Sequence, residues 1–84
     1  MQLITDHDPW YVRLKLYRIK AGLTQMDMAA KLEVVHRRYW GWEKGQNVPR
    51  ESYQEKIAEA LGVDREAIFG GAVQDFAGLE RRRE

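Results

Sequence analysis

The chain has 84 residues, no cysteine and a net charge of +1. This length supports one small domain, and the lack of cysteine excludes disulfides and thiolate metal sites. No apolar run approaches the roughly 20 residues that a membrane span needs, and the acidic start MQLITDHDPW lacks the basic segment of a secretory signal, so we expect a cytoplasmic protein.

Helix signals recur along the chain from residue 10 onwards. The first predicted helix begins after Pro9 and ends at Gly22. Its apolar side chains recur at helical intervals, namely Trp10, Leu14, Tyr17 and Ala21. The second, within residues 23–34, begins at Thr24, and Asp27 three residues later completes a capping box. Both segments therefore predict short amphipathic helices.

Three further helices complete the predicted fold. The third spans residues 35–44 and ends at Gly45, and the fourth runs from about Arg50 to Leu61. The fifth is short and is capped by Asp64. Because no strand-like alternation of useful length appears, we predict an all-α fold, a compact bundle of four to five short helices.

We divide the chain into an N-terminal arm at residues 1–9, a helical domain at residues 10–70 and a C-terminal tail at residues 71–84. In the tail, apolar residues recur every third position, namely Val73, Phe76 and Leu79. This spacing is typical of a weak amphipathic helix. Such a helix could dock on the domain, pair with a second chain as a dimerisation segment, or stay disordered, and the sequence leaves all three open.

The net charge hides an uneven distribution along the chain. Residues 9–50 hold nine Lys or Arg against three acidic residues, a net charge of +6. Residues 1–8 carry −2 and residues 51–84 carry −3. A basic half in an intracellular domain favours a polyanion such as nucleic acid as its partner, although scattered charge is also typical of a solvated surface.

Several motifs of the helical domain occur together at a characteristic spacing. The segment GLTQMDMAAKLEV is followed by YWGWEKG, by Pro49 and by IAEALGV. Over residues 13–69 the chain resembles the lambda-repressor and Cro-like DNA-binding domains of phage and bacterial regulators. The resemblance implies that the second and third helices form a helix-turn-helix. It also implies that the protein works in the cytoplasm of a bacterium, or of the host in the case of a phage protein.

The resemblance also assigns structural roles. The implied core positions are Ala29, Val34, Tyr39 and Trp42. Arg18 and Glu43 match a family pair, so we expect a partly buried ion pair between the first and third helices. The turn departs from the family pattern, because Glu33 stands where glycine is common. A left-handed backbone there would strain Glu33 by about 1 kcal/mol.

Helical geometry sorts the third helix into two faces. Tyr39 and Trp42 lie on the core face, and the outward face carries His36, Arg37, Trp40, Gly41 and Lys44. In the resemblance, the outward face enters the major groove, and the implied base contacts are Val35, His36, Arg37, Trp40 and Gly41. Arg37 is the leading candidate, because a guanidinium can donate two hydrogen bonds to guanine. Trp40 could instead pack over neighbouring side chains or form part of a protein interface. Gly41 either lets the helix approach the DNA closely or leaves the base at its position without a contact.

Phosphate contacts position a protein on DNA without reading sequence. Thr24 and Gln25 are candidates, because they lie at the positive end of the second helix. The other candidates flank the third helix and are Arg38, Lys44, Gln46, Asn47 and Arg50. Three more cations would contribute only a general positive field, namely Arg13, Lys15 and Lys20.

The leading hypothesis is a sequence-specific regulator of transcription, repressor-like, that binds double-stranded DNA as a homodimer on a pseudo-palindromic operator. The alternative is a protein-interaction module on the same fold, such as an antitoxin, an anti-repressor or a bridging factor. We expect no enzymatic activity, no cofactor and no metal. The only serine is Ser52, and the cluster DHD at residues 6–8 cannot converge on one ion without distant ligands.

Overall fold

The computed structural model describes residues 8–70. The tail, for which three alternatives were open, and the first seven residues of the N-terminal arm with most of the DHD cluster lie outside the described residues. Within them the chain forms five helices and no strand. The helices are α1 (Trp10–Lys20), α2 (Gln25–Leu32), α3 (His36–Glu43), α4 (Glu51–Leu61) and α5 (Arg65–Phe69). The predicted all-α fold is confirmed, and each helix begins within a few residues of its predicted start.

Among the five helices of residues 8–70, only α2 begins with a side-chain capping hydrogen bond. Thr24 and Asp27 form the predicted capping box: the Asp27 N–H donates to Thr24 Oγ1 at 3.0 Å, and the Thr24 N–H donates to Asp27 Oδ2 at 2.9 Å. The bond from the Thr24 backbone lowers the pKa of Asp27. Asp64 precedes α5 as predicted, but its side chain makes no capping hydrogen bond, so the prediction holds for the position and fails for the contact.

A single core lies between the helices. α2 packs against α3 and α4, and α1 and α4 both pack against α5. The largest buried side chains are Trp10, Leu14, Met28, Leu32, Tyr39, Trp42, Ile57, Ile68 and Phe69. Ala29 is buried with them, and Val34 packs against the cluster while partly exposed. The core therefore includes the two aromatic residues of α3 that the helical pattern turned inward.

Helix α1 departs from its predicted inward face. Tyr17 is only half-buried and Ala21 is exposed, whereas Arg13 and Arg18 are buried. Arg13 donates from Nη2 to the Gly70 carbonyl oxygen at 2.7 Å. The prediction that Arg13 supplies only a general positive field is therefore wrong, because its guanidinium fixes the end of α5 to α1.

Candidate nucleic-acid interface

The turn between α2 and α3 is tight although it contains no glycine. Glu33 adopts a left-handed backbone with φ of 59°, so the condition under which the sequence implied strain at this position is met. The N–H groups of Glu33 and Val34 donate to the carbonyl oxygens of Ala30 and Ala29 at 3.2 and 3.0 Å. These bonds satisfy the last turn of α2. They bring α3 back across α2 within three residues.

Buried aromatic rings hold α3 against the domain and leave its other side to solvent. Tyr39 is fully buried and Trp42 is 2% exposed, with their ring centroids 6.0 Å apart in an edge-to-face arrangement. Val35 precedes the helix and is 69% exposed, and it provides no capping side chain. The exposed side chains on α3 itself are His36, Arg37, Arg38 and Trp40, and the exposed Lys44 follows its last residue. The result is a rigid helix with a cationic outer surface.

The guanidinium of Arg37 is available to a ligand. Within residues 8–70 it makes no hydrogen bond, ion pair or ring contact, and its side chain is exposed. Arg38 differs from its neighbour, because its guanidinium carbon lies 5.2 Å from the Tyr53 ring centroid and 5.7 Å from that of Trp42. Stacking of this kind limits the rotamers open to Arg38. The side chain of Arg37 can therefore reorient towards a ligand, whereas that of Arg38 is held against two rings.

Gly41 requires a correction, because it is buried and does not lie on the exposed face of α3. A Cβ atom at this position would lie 3.4 Å from Asn47 Nδ2 and 3.8 Å from Gln46 Oε1. The loop after α3 folds back so that these two exposed amides cover the glycine. A base contact from Gly41 itself is therefore not available, and the amides of the loop occupy the space next to it.

Trp40 and Lys44 form a pair on the outer surface. Trp40 is 37% exposed, and Lys44 Nζ lies 5.4 Å from its ring centroid. On the other side of α3 a cleft of about 400 Å³ opens between the helix and the following loop. Its lining residues are Arg38, Trp42, Asn47, Val48, Pro49 and Arg50. Two guanidinium groups and an amide around one cleft form a setting that suits a phosphate group.

A polar network connects this surface to the interior. The buried carboxylate of Glu43 accepts from Arg18 Nε at 2.6 Å, from Gln25 Nε2 at 3.0 Å and from the Tyr39 hydroxyl. The other end of the Gln25 amide, Oε1, lies 3.0 Å from His36 Nε2. Gln25, predicted as a phosphate contact, is half-buried and bridges the inner and outer parts of the network.

The network stabilises the charged form of Glu43. Burial alone would raise the pKa of this carboxyl, but hydrogen bonds from Arg18, Tyr39 and Gln25 outweigh it and lower the pKa. The hydrogen bond to Glu43 raises the pKa of Arg18. Burial, and then the hydrogen bond to Glu43, raises the pKa of Tyr39 far above its ordinary value. Glu43 is therefore an ionised group that can only accept hydrogen bonds.

The remaining predicted phosphate contacts are all exposed to solvent. Thr24 is exposed, with its hydroxyl engaged as the cap of α2. Lys44, Gln46, Asn47 and Arg50 are exposed along α3 and the loop behind it. The sequence did not reveal that Tyr53 contacts two cations. Its ring centroid lies 5.2 Å from the guanidinium carbon of Arg38 and 5.4 Å from Lys56 Nζ. No local signal could have found it, because Arg38 and Tyr53 lie on different helices.

Among residues 8–70 no group of three His, Cys, Asp or Glu residues could hold a metal ion. In the same part of the chain no helix is both long and apolar enough to cross a membrane.

Two short helices joined by a tight turn, the second carrying an exposed cationic face, define a helix-turn-helix protein, a class of DNA-binding domain. A family model described as a helix-turn-helix domain matches residues 12–68, and the chain therefore belongs to that family. Searches of curated proteins and of solved structures find no match to the chain.

Proposed function

We propose that the protein is a sequence-specific regulator of transcription, repressor-like and similar to the lambda-repressor and Cro-like proteins. It binds double-stranded DNA in the cytoplasm of a bacterium or of a phage-infected cell, with α3 in the major groove. The observation that carries the proposal is the position of Arg37, whose guanidinium has no partner among residues 8–70 and extends from a helix that Tyr39 and Trp42 lock in place. No catalytic role, cofactor or metal is part of the proposal.

The proposed contacts divide into reading and anchoring groups. Arg37 donates to guanine, Val35 touches a thymine methyl, and His36 and Trp40 meet the neighbouring bases. Anchoring to phosphates comes from α2 and from the margin of α3, through Thr24, Gln25, Arg38, Lys44, Gln46, Asn47 and Arg50. The cleft between Arg38 and Arg50 supports this division, because two cations there face the same solvent-filled space.

The protein binds as a homodimer on a pseudo-palindromic operator. A domain of this size reads only a few base pairs with one helix, and a two-fold repeat of the reading helix supplies the missing affinity and specificity. Selection of bound sequences from a random duplex pool, at a stated salt concentration, tests the whole proposal. We expect enrichment of a palindrome with half-sites about one helical turn apart. Failure to enrich any sequence would contradict it.

A second function is favoured by the apolar part of the same surface. Val35 is 69% exposed and Trp40 is 37% exposed, and such side chains are suited to a protein interface. In this alternative the domain is an antitoxin, an anti-repressor or a bridging factor that uses α3 to bind a partner protein. Stable retention of one purified partner, lost in Trp40→Ala, together with no shift of any DNA would support it over the first proposal.

A further inference from the structure

The Gln25 bridge determines the orientation of an amide as well as its position. Gln25 Nε2 lies 3.0 Å from Glu43 Oε1, and Gln25 Oε1 lies 3.0 Å from His36 Nε2. Glu43 is buried and paired with Arg18, so its oxygens only accept. A reversed amide would place two acceptor oxygens 3.0 Å apart. Gln25 therefore has one satisfactory orientation, in which its oxygen faces His36.

The orientation of the amide in turn selects the tautomer of the imidazole. An amide oxygen only accepts, so the His36 Nε2 that lies against it must carry the proton. In a neutral imidazole the other nitrogen, Nδ1, is then an acceptor. His36 is exposed at the first position of α3, so Nδ1 is the polar ring atom left for a ligand.

We propose that Glu43, acting through Gln25, fixes His36 in its Nε2–H tautomer, and that His36 consequently reads bases bearing an exocyclic amino group. The inference rests on the proposed DNA-binding function. In the major groove the amino groups of adenine N6 and cytosine N4 donate hydrogen bonds, whereas guanine O6 and thymine O4 accept them. An Nδ1 acceptor can accept a hydrogen bond from the amino group of adenine or cytosine. Opposite guanine O6 or thymine O4 it would face a second acceptor, and no hydrogen bond would form. Gln25 is the positioning residue of this contact.

Nitrogen-15 NMR of the complete chain tests the tautomer without DNA. The chain has two histidines, so a His7→Asn variant isolates the ring signals of His36. In the neutral ring we expect a pyrrole-type Nε2 and a pyridine-type Nδ1. In Gln25→Ala the signals should move towards the average of two exchanging tautomers, whereas Glu55→Ala, which removes an exposed side chain on α4, should leave them unchanged. Circular dichroism confirms that each variant keeps its helices.

Two NMR results would overturn the inference. One is a protonated Nδ1 in the unmodified chain, and the other is an unchanged Nε2–H signal in folded Gln25→Ala. The second result would show that the tautomer does not depend on the bridge. Neither result bears on whether the protein binds DNA, so the inference can fail while the proposed function stands.

Selection from a random duplex pool tests the reading role. The position that His36 reads is the one whose preference disappears in His36→Ala. We expect adenine or cytosine on the contacted strand there, and Gln25→Ala should weaken that preference by about fivefold, the factor that a hydrogen bond of about 1 kcal/mol gives. A preference for guanine or thymine would overturn the inference. If no sequence is enriched, the proposed function and the reading role both fall, and the NMR result still decides the tautomer.

Discussion

Arg18 on α1 and Glu43 at the end of α3 are joined by two hydrogen bonds, from Nε to Oε2 at 2.6 Å and from Nη2 to Oε1 at 3.2 Å. Both residues are buried, at 8% and 7% exposure. Arg18 also donates from Nη1 to the Leu23 carbonyl oxygen at 2.8 Å. This pair ties the end of α3 both to α1 and to the segment that precedes α2. The orientation of the exposed face of α3 therefore depends on a buried ion pair.

Removal of one partner of this pair should be strongly destabilising. Glu43→Ala leaves the Arg18 charge buried without its carboxylate, and loss of one partner of a buried pair typically costs about 3 to 5 kcal/mol. We expect the free energy of unfolding in urea to fall by that amount. Glu59→Ala, which removes an exposed carboxylate from α4, is the control and should change it by less than about 0.5 kcal/mol. Similar losses in both variants would contradict the structural role of the pair.

The same carboxylate should make stability depend on pH in the acid range. The pKa of Glu43 is lowered in the folded protein, so its contribution is fully present above the unfolded pKa of about 4.3 and is lost as pH falls through the folded pKa. We expect unfolding free energy to decrease below about pH 4, and to decrease less in Glu43→Gln. The pKa of Asp27 is also lowered, and Asp27 contributes in the same direction. The chain with Glu43 and the chain with Glu43→Gln are therefore compared with Asp27→Asn present in both. Equal slopes in the two proteins would exclude Glu43 as the source.

Gly45 should tolerate substitution less well than Gly62. Both have a left-handed backbone, with φ of 74° and 71°, so a side chain at either costs about 1 kcal/mol or more. A Cβ at Gly45 would lie 2.8 Å from two ring carbons of Tyr11, whereas nothing lies within 4 Å at Gly62. Displacement of the ring should add about 1 to 3 kcal/mol. Thermal unfolding of Gly45→Ala and Gly62→Ala compares them, and equal losses would mean that Tyr11 moves aside freely.

Glu33→Gly should stabilise the protein. The backbone of Glu33 is left-handed, a conformation that glycine adopts without strain. Because glycine also loses more chain entropy on folding, which offsets about half of the strain that is relieved, we expect a net gain of about 0.5 kcal/mol in unfolding free energy. Lys31→Gly, at an exposed position inside α2, should instead cost about 1 kcal/mol. A loss of stability in Glu33→Gly would show that the glutamate side chain has a role beyond the turn.

Arg37→Ala and Arg50→Ala should affect DNA binding differently. Loss of a guanidinium that reads guanine should weaken binding to the selected operator by about 1 to 3 kcal/mol and relax preference at one position. Loss of a phosphate contact at Arg50 should weaken binding to all sequences and reduce the dependence on salt by about one counterion. Fluorescence anisotropy with operator and scrambled duplexes, over a range of salt concentrations, measures both effects. Equal loss on both duplexes in Arg37→Ala would remove Arg37 from the reading role.

What the sequence by itself determined was mostly local. The capping box of Thr24 and Asp27 follows from contacts between residues three positions apart, whereas the sequence could state the strain at Glu33 only on the condition that the turn there is left-handed. The inward position of Tyr39 and Trp42 follows from helical periodicity on one element. These features need only the geometry of a helix and its ends, and that geometry is the same wherever the helix lies in the fold.

Only the tertiary structure decided which polar groups act together. Arg13 is buried because α5 returns to α1 and presents the Gly70 carbonyl oxygen, 57 positions away in the chain. Gly41 is covered because the loop after α3 folds back with Gln46 and Asn47. Gln25 joins Glu43 to His36 because the turn at residues 33–35 lays α3 across the start of α2. Each contact depends on where one element crosses another, and that crossing is set by packing of the whole core and not by any single segment.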